Sequence, residues 1–420
     1  MTKGLLPTAK ACQTWDNEEN RIHMNLPAHP LLRVRDGHEA RVGYAELFFD
    51  LVYVFAVTQV SHFLLGSLSP LGATQSLLLW FAVWLGWQYT CWLTNWFDPE
   101  RPVVRAFLFV QMGVALVFAA ALPDAFGERG MVVAGCYAVM QVGRSLFAWL
   151  SLRGRHPLAA NYARILVWSL LSASLWLTGG MQNDIAARMG LWALAILAEY
   201  VAPMLRFPVP GLGRSDTRNE WTVEGGHMVE RAALFVIVAL GELILVTGAS
   251  LAHEHAWEAP VLVAFAVAFI ASVAMWWIYF NTGVHDASDM ITRSDDPGRH
   301  AAWFNYVHVA IIAGVVVGAV GNELAIDHPD RHADVAGALV LCGGPALFLL
   351  GNGLYKLAVY RRWPLSHLIG LGLLAVLAAC ARLTDLLMVN ALATLALIVV
   401  AAWETRSRGP RRPGEHGVVD

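Results

Sequence analysis

Arg41-Val-Gly-Tyr44-Ala-Glu46-Leu-Phe-Phe-Asp50-Leu-Val-Tyr-Val-Phe-Ala-Val-Thr-Gln59 opens a long apolar run with two acids near its start. With the residues that follow, the run is long enough to cross a bilayer as a helix. Glu46 and Asp50 are four residues apart and share one helical face, and Val57 and Ser61 continue that stripe. Lipid does not tolerate carboxylates without compensation, so the stripe must face protein or a water-filled cavity. The stretch therefore reads as one helix of an all-α integral membrane bundle.

The whole chain agrees. Of its 420 residues, 57% are hydrophobic and only 15% are charged, where a soluble domain carries about 25%. Mean hydropathy is +0.51. The 17 Trp suit interfacial anchoring, and the abundant Ala and Gly suit close helix packing. A net charge of −3 gives no basic surface for nucleic acid. The five Cys (Cys12, Cys91, Cys136, Cys342 and Cys380) are scattered and form no CxxC pair, so neither a disulfide framework nor a thiolate metal site is expected. Residues 1–43 are polar and lack a signal-peptide core, so the first apolar segment is expected to be a retained helix.

Runs long enough to span fall at 44–66, 73–96, 103–122, 131–152, 161–180, 189–206, 231–252, 259–281, 301–322, 333–358, 365–382 and 385–403. Only Arg382-Leu-Thr-Asp385 separates the last two, which leaves a single broken hairpin as the alternative there. The distribution of positive charge tests the count of twelve. With the N-terminus cytoplasmic, 24 of the 29 Lys and Arg fall on the cytoplasmic side and four (Arg129, Arg188, Arg331 and Arg382) on the other, with Arg144 inside a helix. An error of one helix would scramble that bias. The expected protein is multi-pass, in a cytoplasmic (inner) membrane, with both termini cytoplasmic. Its Arg-rich, Ala-rich composition suggests a GC-rich bacterial source.

A faint repeat divides the chain. Gly143-Arg-Ser-Leu146-Phe147, followed by Arg153 and Pro157-Leu158, is echoed by Gly351-Asn-Gly-Leu354-Tyr355, followed by Arg361 and Pro364-Leu365. Trp84, Trp87 and Tyr89 of helix two are echoed by Trp276, Trp277 and Tyr279 of helix eight, and helices one and seven both open with Glu. This is the pattern of a six-plus-six parallel duplication; chance likeness between apolar segments is the alternative. The expected units are a tail (1–43), a first half (44–206), a linker (207–230), a second half (231–403) and a tail (404–420).

Several ionisable residues lie inside the predicted spans. Helix seven carries His227, Glu230, Arg231 and Glu242; Arg231 and Glu242 are eleven residues apart, on nearly the same face. Arg144 lies midway along helix four and Glu199 midway along helix six. An unpaired ion near the bilayer centre costs at least ~2.5–3.5 kcal/mol. Asp50, Glu199 and Glu242 have only Arg144 as a deep cation, so a protonated acid, a bound cation or Arg231 reaching inward must close the balance. One reading is an acid cluster that carries protons or a cation. The other is a buried network that fixes helix packing. Nearer the headgroups, Glu46 and Glu230 favour the interfacial reading.

Asn305 and His308 sit near one face of helix nine; His308 reads as a proton relay or, more simply, a hydrogen-bonded core residue. Asp327-His-Pro-Asp330-Arg-His332 and His253-Glu-His255 read as solvated turns rather than metal sites. HExxH, Walker A, GxSxG and a GxGxxG strand–helix unit are absent, so neither catalytic residues nor a cofactor is expected.

The segment Tyr44–His62 resembles the signature of the bacterial low temperature requirement protein A family, and His227–Glu242 resembles that family's second hallmark. Trp276-Trp277-Ile-Tyr279-Phe280 also fits, although Asn281 stands where an acid is expected. The resemblance covers about residues 44–403. It implies a polytopic membrane protein linked to growth at low temperature, with Glu46, Asp50, His227, Glu230, Arg231 and Glu242 as hallmark residues of no assigned role. The leading expectation is a transporter coupled to protons or a monovalent cation. It would use Glu242 and Asp50, with Arg144 setting their charge, and its partners would be the bilayer and a transported ion or small solute. A membrane sensor or scaffold is one alternative. The other is a metal-dependent lipid enzyme using Glu46, Asp50, His227 and Glu230.

Overall fold

The computed structural model describes residues 29–35, 41–216, 223–254, 256–281, 290 and 297–407. Both tails beyond these limits, the middle of the expected linker, His255 and the positive charges Arg218 and Arg293 lie outside the described residues. Twelve long helices are present among the described residues: α1 (Tyr44–Leu65), α2 (Pro70–Trp96), α3 (Pro102–Ala121), α4 (Gly130–Leu152), α5 (Leu158–Gly180), α6 (Ile185–Met204), α7 (Gly225–His253), α8 (Ala259–Phe280), α9 (Pro297–Asp327), α10 (Val335–Tyr360), α11 (Leu365–Cys380) and α12 (Leu386–Ser407). No strand forms among them, only isolated bridges.

Helix starts follow local chemistry. Ser69 caps α2 by accepting from the Gly72 N–H, Asp184 caps α6 through Ala187, and Asp334 caps α10 through Gly337. Proline occupies the first turn of α2, α3 and α8, where its missing N–H costs nothing. The separation of α11 and α12 is clear: a 3₁₀ turn, Ala381–Leu383, ends the first, and Asp385 accepts the Met388 N–H to start the second.

Eleven of the twelve are long and apolar enough to cross a membrane. The exception is α2. Its 27 residues, ~40 Å at 1.5 Å per residue, give the length, but Trp, Gln, Thr and Asn lower its hydropathy. Packing supplies the reason: α2 is surrounded by α1, α4, α6, α7 and α9, and Trp84 and Trp87 are fully buried. A helix shielded by protein need not be apolar on every side.

Helix α7 starts at Gly225, earlier than the run at 231–252 implies, and α9 extends to Asp327. In the α7 extension His227 is buried while Glu230 is exposed, and in the α9 extension Glu323 is half-buried while Asp327 is exposed. Within the first six helices the packed pairs are α1–α2, α1–α3, α3–α4, α4–α5, α5–α6, α2–α6 and α2–α4; among the last six, α7–α8, α7–α9, α9–α10, α10–α11, α11–α12 and α8–α12 pack likewise, as do α8–α9 and α10–α12. Helix α1 also touches α7 and α9, and α9 touches α2 and α12. The closest approach is α9 against α10, where a Cβ at Gly344 would lie 2.5 Å from Gly318 N and one at Gly351 2.7 Å from Ile311 N. Glycine at these positions lets two backbones meet.

The side of the bundle at which α1 begins is called the near side below. There residues 31–35 fold back onto the α2–α3 connection: Arg33 N donates to Trp96 O (2.8 Å) and Asp98 N to Leu31 O (2.9 Å). On the far side the α9–α10 and α11–α12 connections join through Ala333 N to Thr384 O (3.0 Å) and Leu386 N to Arg331 O (2.9 Å).

Candidate functional site

A closed polar cluster ties α1, α2 and α7 together on the near side. The start of α1 places Glu46 and Asp50 inward, and the start of α7 places His227 and Arg231 opposite them; all four are buried. Glu46 Oε2 accepts from Arg33 Nη2 (2.9 Å) and from the Gly43 N–H (2.8 Å). Its Oε1 accepts from His227 Nε2 (2.9 Å) and lies 3.5 Å from Arg231 Nη1. Asp50 Oδ1 accepts from Arg231 Nη2 (2.7 Å) and Trp87 Nε1 (2.8 Å), whereas Oδ2 is buried with no hydrogen-bond partner. The Arg231 guanidinium also donates to Cys91 Sγ (3.3 Å) and stands over the Trp87 ring.

The hydrogen bonds assign the His227 tautomer. Asn95 exchanges hydrogen bonds with the Glu224 backbone, accepting at Oδ1 (3.1 Å) and donating from Nδ2 (3.0 Å). The other Nδ2 hydrogen points at His227 Nδ1 (3.2 Å). Nδ1 is then the acceptor and Nε2–H the donor to Glu46, which makes the imidazole neutral; Arg33 Nη2, 3.3 Å from the same Nε2, gives its hydrogen to Glu46 Oε2 instead. Two carboxylates thus meet two guanidiniums, and the cluster carries no net charge. That balance is what burial at this depth demands.

A second group lies toward the far side. Glu242 is buried on α7, ~26 Å along the helix from its start, and its Oε1 has no hydrogen-bond partner. Thr58 of α1, whose hydroxyl donates to Val54 O (3.1 Å), and His62 are its polar neighbours. Glu323 of α9, half-buried, also has a buried, unpartnered oxygen and interacts electrostatically with His62, Asp327, Glu242 and His253. Among the described residues, neither Glu242 nor Glu323 forms an ion pair.

Arg144 and Glu199 occupy a third place, within the first six helices. Glu199 Oε2 accepts from Tyr137 (2.5 Å) and Gln141 (2.7 Å), and Oε1 accepts from Ser172 (2.5 Å). Arg144 Nη1 donates to Gly86 O (3.1 Å) and Thr90 Oγ1 (2.9 Å). The two do not pair with each other. Arg144 also forms no ion pair with Asp50 or Glu242, the acids whose charge it was expected to set.

The remaining candidates are dispersed. Glu230 is exposed and accepts the Val42 N–H (3.1 Å). His308 accepts from Tyr279 OH at Nε2 (2.8 Å) and donates from Nδ1 to Phe304 O (2.7 Å), a fully satisfied core imidazole. Asn305 is buried with Nδ2 unpartnered. Asn281 is near Thr405 at the end of α8. Among the described residues no group of three His, Cys, Asp or Glu could hold a metal ion.

Sequence reasoning missed four participants. Arg33 lies in a polar tail, and nothing local says that the tail returns to Glu46. Asn95 and Trp87 sit in ordinary helical positions. Glu323 was hidden by ending helix nine at 322; its spacing of four from Asp327 was the available signal. A buried pair, Lys356 Nζ to both Glu404 oxygens (2.6 Å each), was likewise assigned to surface segments.

Comparison with known proteins places these residues in a wider group. The chain matches the family described as bacterial low temperature requirement A protein over residues 41–402. It is 36% identical over 399 residues, covering 94% of this chain and 95% of the relative, to an uncharacterised protein of Rhizobium meliloti (strain 1021), RA0937. No solved structure matches.

Proposed function

The chain belongs to the bacterial low temperature requirement A family, and from that premise we propose that it is a transporter coupled to protons or a monovalent cation. It would lie in the bacterial cytoplasmic membrane with both termini cytoplasmic, as its positive charges favour. The observation that carries the reading is the pair of buried carboxylate oxygens without a donor, Asp50 Oδ2 and Glu242 Oε1. Asp50 is ~9 Å and Glu242 ~26 Å along their helices from the same side, so the two stand on opposite sides of the midplane. A proton or small cation would complete either one.

Six packed pairs recur six helices on, although α2–α4, α8–α9 and α10–α12 have no counterpart; the recurring pairs favour two six-helix halves related by an axis along the membrane normal. In that frame α1 opens one half and α7 the other. The Glu46–His227 and Asp50–Arg231 bonds then act as a latch between halves on the cytoplasmic side. A proton on Asp50 removes the charge that holds Arg231, and the halves are freed to rock. A role in growth at low temperature would follow from what is moved.

The test is flux in proteoliposomes under imposed H⁺, Na⁺ and K⁺ gradients, comparing wild type with Glu242→Gln and Asp50→Asn. Flux that both folded variants lose supports the reading. Absence of wild-type flux under every gradient overturns it. The balanced cluster also favours a second reading, a structural network in a membrane sensor, which that null result would leave standing.

A further inference from the structure

We propose that the cavity enclosed by α2, α4, α5, α6 and α9 binds a small monovalent anion, a halide or a short carboxylate, on the guanidinium of Arg144. The cavity measures about 40 Å³ and has Arg144, Tyr89, Trp92, Trp96, Tyr162 and Tyr306 in its wall. Arg144 is 2% exposed. Its Nη1 is engaged by Gly86 and Thr90, but Nη2 is buried with no hydrogen-bond partner among the described residues. Tyr89 offers its ring face at 5.3 Å.

A guanidinium stays protonated in any protein setting. Neutral dipoles solvate that charge without cancelling it, and a buried ion without a counter-charge is expensive. Glu199 lines the same cavity, but Tyr137, Gln141 and Ser172 already hold its oxygens and it makes no ion pair with Arg144. These neutral donors leave the Glu199 charge in place, so it acts on Arg144 through space while Nη2 itself is left without an acceptor.

The wall also sets sign and size. The Tyr162 hydroxyl and Gln88 Oε1 of the same wall are also buried without partners, so the cavity offers two unused donors, Nη2 and this O–H, beside one unused amide whose two ends can exchange places. Donors select an anion. A single cation, with Glu199 close by, selects one negative charge rather than two. A water molecule needs at least ~10–15 Å³ of such space, so about 40 Å³ has room for a small ion. The aromatic wall suits a weakly hydrated halide or the methyl end of a short carboxylate.

The full-length protein, purified in detergent with gluconate as the only anion, is titrated with chloride, formate, acetate and sulfate. Trp fluorescence and calorimetry report binding, since Trp92 and Trp96 belong to the wall. Expected is a saturable response to chloride or to a short carboxylate but not to sulfate; whichever saturates first identifies the occupant. Arg144→Gln should abolish it. Tyr162→Phe, which keeps the ring, should weaken it roughly tenfold, and this variant decides the matter if Arg144→Gln does not fold. No saturable binding in wild type, saturation by sulfate alone, or equal binding in wild type and Tyr162→Phe overturns the assignment. Because binding is read without a gradient, the result is independent of whether flux is observed.

Discussion

Replacing Arg231 with Gln is the sharpest perturbation of the near-side cluster. In wild type, Arg33 and Arg231 balance Glu46 and Asp50 around a neutral His227. The substitution removes the 2.7 Å bond to Asp50 and the 3.5 Å approach to Glu46. Asp50 is left with Trp87 as its one donor, and the cluster carries a net buried negative charge. Removing one partner of a buried pair costs about 3–5 kcal/mol. Asp50→Asn alone strands Arg231 in the same way. In the double variant the charges balance again, because Arg33 still meets Glu46 and the new amide oxygen can still accept from Trp87. The double should therefore be more stable than the sum of the singles by at least about 2 kcal/mol. Reversible unfolding of the four proteins in mixed detergent micelles gives the cycle. Single losses below about 1 kcal/mol, or strictly additive ones, would refute the view that this pair holds α1 to α7.

Two further outcomes are expected. Gly344→Ala should destabilise by about 1–3 kcal/mol, since its Cβ would meet the Gly318 backbone at 2.5 Å. Gly343→Ala, with nothing within 4 Å, should be neutral or slightly stabilising in the same unfolding assay; equal effects would argue against tight α9–α10 contact. The second concerns pH. Burial holds the His29 and His156 imidazoles below the usual value of 6.5, helped at His29 by the Arg155 charge and at His156 by His29. Each accepts a backbone N–H at Nδ1, from Leu31 (3.3 Å) and Leu158 (3.2 Å). The folded chain favours the neutral rings. Their contribution is therefore complete above the unfolded value and is lost as pH falls below it. Hydrogen exchange of residues 31–35, corrected for intrinsic rate, should be faster at about pH 5.5 than at about pH 7.5. Unchanged protection would remove these histidines from the anchoring of that segment.

How far the sequence carries depends on whether a feature is local. Helix count and the Glu46–Asp50 stripe follow from period and length, which one segment contains. The meeting of that stripe with His227 and Arg231 does not. Those residues lie some 180 positions on, and only packing between helices one and seven joins them. The low hydropathy of α2 is another non-local effect, since it makes sense only when five neighbours keep lipid away. Glu199 shows the same limit from the other side. A lone acid in helix six looked like a charge in need of Arg144, whereas its three donors come from α4 and α5 and are ordinary Tyr, Gln and Ser residues. Lys356 and Glu404 looked like surface charges because each lies near a predicted helix end, and the helices continue past those ends.

Where the buried charges fail to cancel carries more information than where they do. The Arg33–Glu46–Asp50–Arg231 group and the Lys356–Glu404 pair balance in charge, and balanced buried pairs can often be exchanged for apolar side chains at little cost. Their presence is compatible with packing alone. Asp50 and Arg231 within that group, and Arg144, Glu242 and Glu323 outside it, add something else: each keeps a buried polar atom without a protein partner. Packing could remove those costs with a methyl group. Intramembrane charges that packing does not satisfy are the ones a ligand or transported ion can satisfy. By that reasoning the charge balance of the near-side cluster positions the two halves, and the chemistry lies with the unmatched atoms: Asp50 within the cluster, and Arg144, Glu242 and Glu323 outside it.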